Sequence, residues 1–302
     1  MQTTENILMI RPAAFGFNEQ TAENNYFQEE MASTGNLRQK AIDEFDHMVS
    51  VLEQNGIKVK VIEDSLNPGK PDAIFPNNWI SFHGNGEIVL YPMFAENRRK
   101  ERRKEIVEEL SKTFNVKEIF DLSKYENENK FLEGTGSMVL ERDHKICYAC
   151  NSLRTDPFLL EKFCSHFGYK KILFTAKDHA GMLIYHTNVV MSVGEEFILV
   201  CMEAIENPDE RNAIKKSTNK VIIEISLSQL HHFAGNMLEV KNKKGENVLV
   251  MSEQAHSSLL QDQLHALNKF AAIISVPLFT IETFGGGSAR CMMAEIFLPK
   301  KD

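Results

Sequence analysis

The chain has 302 residues, 43% of them hydrophobic, and a formal net charge of −8 at pH 7. That hydrophobic content suffices for a substantial core, while the negative charge disfavours a nucleic-acid partner, because phosphate binding rests on a basic surface. No stretch approaches the roughly 18 consecutive apolar residues of a membrane span, and the amino terminus lacks a signal-peptide pattern. We therefore expect a globular, cytoplasmic protein with no membrane contact.

Hydrophobic periodicity repeats one order along the chain: an apolar run, a second apolar run, an amphipathic helix and a third apolar run. Four such modules start at residues 79, 137, 188 and 236, and the two chain ends together make a fifth. The predicted elements are strand 7–10, helix 37–54 and strand 58–63; strands 79–83 and 87–91, helix 98–114 and strand 117–122; strands 137–141 and 145–150, helix 157–167 and strand 171–175; strands 188–193 and 197–202, a helix after 208 and strand 221–225; strands 236–240 and 247–251, helix 259–272 and strand 274–281; and strand 289–298.

Module starts 48 to 58 residues apart are typical of blade-like repeats. The sequence thus predicts an α/β propeller of five ββαβ-type modules around a central pseudo-fivefold axis, in a single domain over residues 1–302. Pairing of the C-terminal strand with the N-terminal segment would close the ring and remove sheet edges. The polar stretch 125–130 is predicted to be a mobile connection. The basic run 98–104 is predicted to be the solvated face of a helix.

Five cysteines, an odd number, indicate a reducing compartment rather than a disulfide framework. Cys147 and Cys150 form a C-x-x-C motif without the second pair that a zinc tetrahedron needs. No ligand cluster or phosphate-binding glycine loop is evident in the sequence, so we expect neither a metal nor an organic cofactor.

The strongest chemical signal is the segment 283–292, in which three glycines precede Cys291. A thiol there is either a nucleophile or a buried, inert side chain on a glycine-softened strand. Asp72, Glu133 and His186 stand at similar offsets in other modules, and equivalent positions of a closed ring converge on its axis. Taken singly, His186 could be a core histidine and the two acidic residues could be turn residues. Together with Cys291 they supply a nucleophile, a general acid/base and anionic groups.

These segments resemble the pentein fold of the guanidine-modifying, or amidinotransferase, superfamily, which includes arginine deiminases and dimethylarginine hydrolases. The motifs are P-D-x-x-F over 71–75, E-G at 133–134, H-x-N over 186–188 and G-G-x-x-x-C-M ending at 292. The nearest resemblance is to citrulline-utilisation hydrolases, through segments such as F-P-N-N-W over 75–79.

The resemblance implies that Cys291 attacks the central carbon of a guanidino or ureido group through a covalent, thiouronium-type intermediate. His186 would transfer protons, and Glu133 would orient His186 and the reacting group. Asp72 and Phe75 would belong to the substrate-binding segment, and Arg154 would clamp a substrate carboxylate. Either Arg98 or Arg99 could be a second clamp or a solvated side chain.

Two positions depart from the deiminase pattern. Deiminases carry aspartates where this sequence has Asn78 and Asn188, and those aspartates bind the charged guanidinium. An amide keeps the hydrogen-bonding ability without the charge and suits a neutral ureido group. The expected activity is hydrolysis of a ureido or guanidino C–N bond in a small citrulline- or arginine-like amino acid.

Arginine deimination, amidino transfer and a non-catalytic binding role on the same fold remain alternatives. The sequence leaves the oligomeric state open, a homo-oligomer included.

Overall fold

The computed structural model describes residues 1–22, 25, 27 and 36–301. Within these residues the strands form five separate three-stranded sheets, so the fold is a mixed α/β fold built from small sheets. The strands in chain order are β1 (Asn6–Arg11), β2 (Lys58–Glu63), β3 (Ile80–Phe82), β4 (Glu87–Leu90), β5 (Glu118–Asp121), β6 (Met138–Glu141), β7 (Ile146–Cys150), β8 (Lys170–Phe174), β9 (Met191–Val193), β10 (Phe197–Val200), β11 (Val221–Glu224), β12 (Leu238–Lys241), β13 (Asn247–Ser252), β14 (Ala272–Val276) and β15 (Ala294–Glu295).

The five sheets share one topology. Their strand orders are β15-β1-β2, β3-β4-β5, β6-β7-β8, β9-β10-β11 and β12-β13-β14. In every sheet the central strand pairs antiparallel with the first strand and parallel with the third. Ala294 lies opposite Leu8, so β15 pairs with β1 and the two ends of the chain share a sheet.

A parallel pair needs a crossover connection, and helices supply it between the second and third strands of each sheet. The α-helices are α1 (Glu19–Ala22), α2 (Leu37–Gln54), α3 (Lys104–Ser111), α4 (Gly134–Ser137), α5 (Pro157–Phe167), α6 (Thr187–Val190), α7 (Pro208–Ser217), α8 (Leu227–His231), α9 (Glu253–Ser258), α10 (Gln261–Leu267) and α11 (Phe279–Gly285). The 3₁₀ turns span Pro76–Asn78, Glu96–Glu101, Ser123–Glu128, Met202–Ala204 and Ala289–Met292.

Helix α5 illustrates why the local sequence fixes these elements. Asp156 precedes the helix and accepts hydrogen bonds from the backbone N–H groups of Phe158 and Leu159, both at 3.0 Å. Pro157 occupies the first helical position, where no backbone donor is needed. Gly168 ends the helix in the left-handed region at φ 71°. The structure therefore gives this helix the predicted bounds.

The predicted helix over 98–114 is wrong. Residues 96–101 form a 3₁₀ turn, and the α-helix spans only Lys104–Ser111. Arg98 and Glu101 are both buried and form an ion pair, so this part of the basic run is not a solvated helix face. Tertiary pairing of the two charges has overridden the surface pattern.

Several other predicted elements also differ from the structure. The predicted strand over 274–281 ends at Val276, with residues 279–281 in α11, and the first half of the predicted strand over 188–193 is helix α6. The predicted helix over 259–272 is shorter and spans Gln261–Leu267 (α10), where the Gln263 side chain accepts from the Leu260 backbone N–H at 2.8 Å; α9, over Glu253–Ser258, is a separate helix before it. The predicted strand over 289–298 is a 3₁₀ turn followed by the two-residue β15. The stretch 125–130, predicted to be a mobile connection, lies largely in a 3₁₀ turn, in which Glu126 accepts from Arg102 at 2.7 Å; its mobility stays a prediction.

Apolar residues between sheets and helices form the core. Strand β1 buries four consecutive apolar residues over 7–10, and strand β10 buries all four of its residues. Across the described ranges no helix combines the length and apolarity needed to cross a membrane.

Candidate active site

A side chain of the candidate site precedes the first strand in four of the five sheets. Asn78 and Asn236 stand two residues before β3 and β12, while Asn188 and Cys291 stand three residues before β9 and β15. Before β6 the equivalent position is Gly136. These positions lie in or beside short helical turns at the sheet entrances, and the side chains meet around one cavity.

Six of the eight predicted site residues line this cavity: Asp72, Phe75, Asn78, Arg154, His186 and Cys291. Glu133 and Asn188 lie directly behind, in contact with His186 and Cys291 respectively. The cavity volume is about 10 Å³, room for about one water molecule. The fold thus brings together residues that are more than 200 positions apart in the sequence, such as Asp72 and Cys291.

Cys291 is buried, with 4% of its surface exposed. Two side-chain amides donate hydrogen bonds to its Sγ: Asn188 Nδ2 at 3.4 Å and Asn236 Nδ2 at 3.2 Å. The preceding glycines allow close approach, because a Cβ on Gly287 would lie 3.0 Å from the Phe75 ring and 3.4 Å from Cys291 Cβ. The glycine run therefore lets the cysteine turn pack against the cavity wall.

His186 and Glu133 form a buried pair in which Nε2 lies 2.8 Å from Oε2. Burial lowers the pKa of His186 to about 4, against the opposing effect of Glu133. The imidazole is therefore neutral at pH 7. Because a carboxylate can only accept, Nε2 carries the proton and Nδ1 is left as an acceptor. A neutral imidazole oriented by a carboxylate can serve as a general base.

Glu133 is held as a carboxylate by its surroundings. Oε1 accepts from the Phe94 backbone N–H at 3.0 Å, and Oε2 also accepts from the Arg154 guanidinium at 3.3 Å. Burial alone would raise the pKa of Glu133, but Arg154, His186 and Arg98 outweigh burial and hold that pKa below its ordinary value. The Arg154 guanidinium also lies 4.6 Å from the centre of the Tyr185 ring.

Asp72 also lines the cavity. Its Oδ2 accepts from Asn18 Nδ2 at 2.7 Å and lies 3.6 Å from the Arg98 guanidinium. Its Oδ1 is buried and has no hydrogen-bond partner within the described part of the chain. Burial raises the pKa of Asp72, while Arg98 and Asn18 oppose the shift. This unpaired oxygen can accept a hydrogen bond from a ligand.

The side chain of Asn78 has a defined orientation. Its Oδ1 accepts from Arg98 Nη1 at 2.9 Å, and arginine only donates, so the assignment of the amide oxygen is fixed. Nδ2 is buried and unpaired as far as the described residues go. Arg98 itself is braced by both oxygens of Glu101, at 2.9 and 3.0 Å. Asn78 therefore offers a donor at the cavity.

The remaining cysteines lie outside this cavity. Cys147 and Cys150 are three positions apart on β7 and enter different apolar clusters, so the C-x-x-C motif does not converge on one point. Cys147 lies instead beside Cys164 in one of these clusters. In the ranges that the structure covers, no group of three or more His, Cys, Asp or Glu side chains is placed to hold a metal ion.

Several residues at the site were not identified from the sequence. Asn236 contacts the sulfur, Asn18 contacts Asp72, and the Tyr185 hydroxyl donates to the Gly286 carbonyl at 2.6 Å. For Asn236 a signal existed, since it precedes its strand by the same two residues as Asn78. Asn18 lies outside any repeated motif, and no sequence pattern pointed to it.

The sequence of residues 11–298 matches a family model described as N,N dimethylarginine dimethylhydrolase, eukaryotic. The chain belongs to this family. The match spans nearly the whole chain and all eight predicted site residues. No curated protein matches the sequence.

Solved structures of related enzymes share the fold. The N-terminal domain of ArgZ, a cyanobacterial arginine dihydrolase, bound to its substrate, has a TM-score of 0.74 at 14% identity, covering 97% of this chain and 98% of that chain. AgrE with L-arginine has a TM-score of 0.76 at 17% identity, covering 98% of this chain and 41% of that one. DDAH from Pseudomonas aeruginosa with citrulline has a TM-score of 0.64 at 13% identity, covering 98% and 100%.

The chain spans 41% of the apo ArgZ structure, which has further sequence beyond the shared fold. At these identities the likeness to solved structures concerns the fold alone.

Proposed function

We propose that this chain is a cysteine-dependent hydrolase that cleaves a guanidino or ureido C–N bond of an arginine- or citrulline-like amino acid. The observation that carries the proposal is the buried Cys291 thiol, which accepts two amide hydrogen bonds beside a cavity that His186 also lines. Membership of the dimethylarginine dimethylhydrolase family supports this reaction class. The relatives that bind arginine and citrulline support a small amino acid as substrate.

In the first half-reaction the Cys291 sulfur attacks the central carbon of the guanidino or ureido group. His186 accepts the thiol proton at Nδ1 and delivers it to the departing terminal nitrogen, whose bond to carbon breaks. Ammonia or an alkylamine leaves, and the carbon stays bound to sulfur. Glu133 orients the imidazole and stabilises its positive charge while it holds the proton.

In the second half-reaction water attacks the same carbon and His186 accepts its proton. The C–S bond breaks, and the proton returns to sulfur. A guanidino substrate leaves as the ureido compound. A ureido substrate leaves as a carbamate, which loses CO₂ to give the amine. Neither half-reaction needs an oxidant or a reductant, and the proposed reaction uses no cofactor.

Asp72 and Arg154 are the proposed polar contacts for the rest of the substrate. Asp72 Oδ1 is buried and lacks a partner in the described ranges, so it can accept from a substrate N–H group. Arg154 brings positive charge to the cavity and is assigned to an anionic group of the substrate, although it also donates to Glu133. Phe75 offers an apolar face for the aliphatic stem.

The amide orientations favour a ureido group, which is both an acceptor and a donor. Asn78 offers its Nδ2 donor, because Arg98 occupies its oxygen. Asn188 offers its Oδ1 acceptor, because its Nδ2 donates to Cys291 and that oxygen has no partner in the described chain. A ureido oxygen can accept from the first amide, and a ureido N–H can donate to the second. These orientations support a citrulline-like substrate, and the resemblance to citrulline-utilisation hydrolases stays a prediction.

The proposal includes a propeller arrangement of the five sheets about a pseudo-fivefold axis, in one domain over residues 1–302. The repeated topology and the meeting of the sheet entrances at one cavity support it. A cytoplasmic location remains a prediction from the sequence, and the oligomeric state stays open.

The proposal is tested by incubating purified protein with arginine, citrulline, their N-acyl derivatives and Nω-methylated arginines in turn. Release of ammonia or alkylamine, with formation of a ureido compound or an ornithine-type amine, is the expected result, and Cys291→Ser should remove it. Each reaction is repeated with an added amine acceptor, because amidino transfer would consume that acceptor. Binding of a substrate without any product would contradict hydrolysis and favour a binding protein.

A further inference from the structure

We propose that Asn236 is a catalytic residue whose side-chain amide stabilises the Cys291 thiolate; this inference rests on the hydrolase function proposed above. Asn236 is fully buried and precedes β12, so it enters the site from a sheet to which no catalytic role has yet been given. Its Nδ2 is 3.2 Å from Cys291 Sγ, closer than the 3.4 Å of Asn188 Nδ2.

Both ends of the Asn236 amide are fixed by the backbone. Oδ1 accepts from the Arg290 N–H at 3.1 Å, and Nδ2 donates to the Asn188 carbonyl at 2.9 Å. A backbone N–H can only donate and a carbonyl can only accept, so the amide cannot be turned over. Asn236 can therefore meet the sulfur only as a donor. Because Arg290 is the residue before Cys291, the same contact fixes the position of the cysteine turn.

The sulfur needs such donors because it is shielded from water. Cys291 is 4% exposed, and its negative charge would lie at a cavity that His186 also lines, with the Glu133 carboxylate paired to His186. Hydrogen bonds to a charged group are stronger than those to a neutral one, so an amide that donates to sulfur favours the thiolate over the thiol. Two amides aimed at the sulfur thus favour the attacking form.

Asn236 and Asn188 differ in what else they can do. Asn188 keeps a side-chain oxygen that is unpaired in the described chain and can contact substrate, whereas both polar atoms of Asn236 are already engaged. The role of Asn236 is therefore directed at the sulfur rather than at the substrate.

The test measures how the ionisation of Cys291 depends on pH, using the ultraviolet absorbance of the thiolate. Each protein is compared with its own Cys291→Ala version, so that the other cysteines cancel. Asn236→Ala should move the pH midpoint of Cys291 ionisation upward by about one unit or more, because one hydrogen bond to a charge is lost. At a pH below the new midpoint, kcat should fall about tenfold or more.

Asn236→Asp provides a second variant that preserves shape and the contact to the Arg290 N–H. Its other oxygen would face sulfur as an anion, so the midpoint should rise further than in the alanine variant. Asn77→Ala is the matched control: Asn77 is fully buried near the site, and its side-chain amide has no hydrogen-bond partner within the described residues. The control should leave the midpoint unchanged.

Different results would contradict the role of Asn236 and the proposed hydrolase function. If folded Asn236→Ala and Asn236→Asp proteins keep the wild-type midpoint, Asn236 is only a structural link between backbone segments and the inference is overturned. If Asn236→Ala shifts the midpoint while no guanidino or ureido compound is turned over by the wild type, the inference on sulfur stands and the proposed substrate class falls.

Discussion

Replacing Asn78 with aspartate should shift the substrate preference from a neutral ureido group toward a charged guanidinium. The Asn78 oxygen already accepts from Arg98 at 2.9 Å, so the carboxylate would keep that contact and gain an ion pair. The atom that changes is Nδ2, which is buried and faces no protein acceptor in the described chain. The variant therefore replaces a donor at the cavity with a negatively charged acceptor.

The magnitude follows from this exchange. A hydrogen bond to a charged group contributes about 1.5 to 3 kcal/mol, against about 1 kcal/mol for a neutral bond. A guanidinium gains the charged contact, whereas a ureido oxygen loses its donor. Arg98 neutralises part of the new charge, so we take the lower part of this range. A differential of about 1.5 kcal/mol, the bottom of that range, would raise the ratio of kcat/KM for arginine over citrulline by a little more than about tenfold.

The assay measures kcat/KM for both compounds with wild-type protein, Asn78→Asp and Asn78→Ala. The alanine variant removes the amide without adding charge, so it should weaken turnover of both compounds and leave their ratio low. Asn188→Asp is unsuitable for this purpose, because it would also remove a donor to Cys291. A folded Asn78→Asp protein with an unchanged or lower arginine-to-citrulline ratio of kcat/KM would refute the reasoning. A deiminase-like activity would then be the favoured function.

Further predictions concern the nucleophile, the packing and the pH dependence of the site. Cys291→Ala should abolish turnover at an unchanged melting temperature, whereas a dead Cys150→Ala with an active Cys291→Ala would reverse the assignment. Gly136→Ala should lower kcat on the order of 100-fold, because its Cβ would lie 2.9 Å from the His186 ring. The control Gly16→Ala places its Cβ in open space and should keep wild-type activity. Equal activities of the two variants would contradict this prediction. Burial lowers the pKa of His186 from 6.5 to about 4, so the unfolded chain binds a proton in that window that the folded protein excludes. The contribution of neutral His186 to the unfolding free energy is complete above pH 6.5. It is lost, by on the order of 3 kcal/mol in all, as the pH falls from 6.5 to about 4. The unfolding free energy of wild type should therefore fall more steeply in this pH range than that of His186→Gln.

The repeated architecture could be predicted from the sequence. Strand β10, with its apolar run, and helix α5, with its Asp, Pro and Gly signals, are specified by nearby residues. Cys291, His186 and Glu133 were also singled out by residue type and motif before their distances were known, although only Glu133 and His186 share an offset, five residues before β6 and β9, while Cys291 stands three residues before β15. Their roles remain proposals, but their proximity is a feature of the fold.

Tertiary contacts decided the rest. The sequence pattern predicted that Arg98 and Glu101 lie at the surface. Their burial depends on the ion pair that they form inside the fold. The residues around Cys291 read as a strand but form a turn, because the amide of Asn236 and the glycine contacts with Phe75 hold the segment at the cavity.

The sequence by itself determined which chemical groups are present and that they recur with the modules. It could not determine which atom of each amide is left without a hydrogen-bond partner in the described chain. That choice depends on partners far along the chain: Arg98 occupies the oxygen of Asn78, and Cys291 takes the Nδ2 donor of Asn188. Because an asparagine is a donor at one end and an acceptor at the other, its effect on a ligand is set only when the fold has engaged one of the two ends.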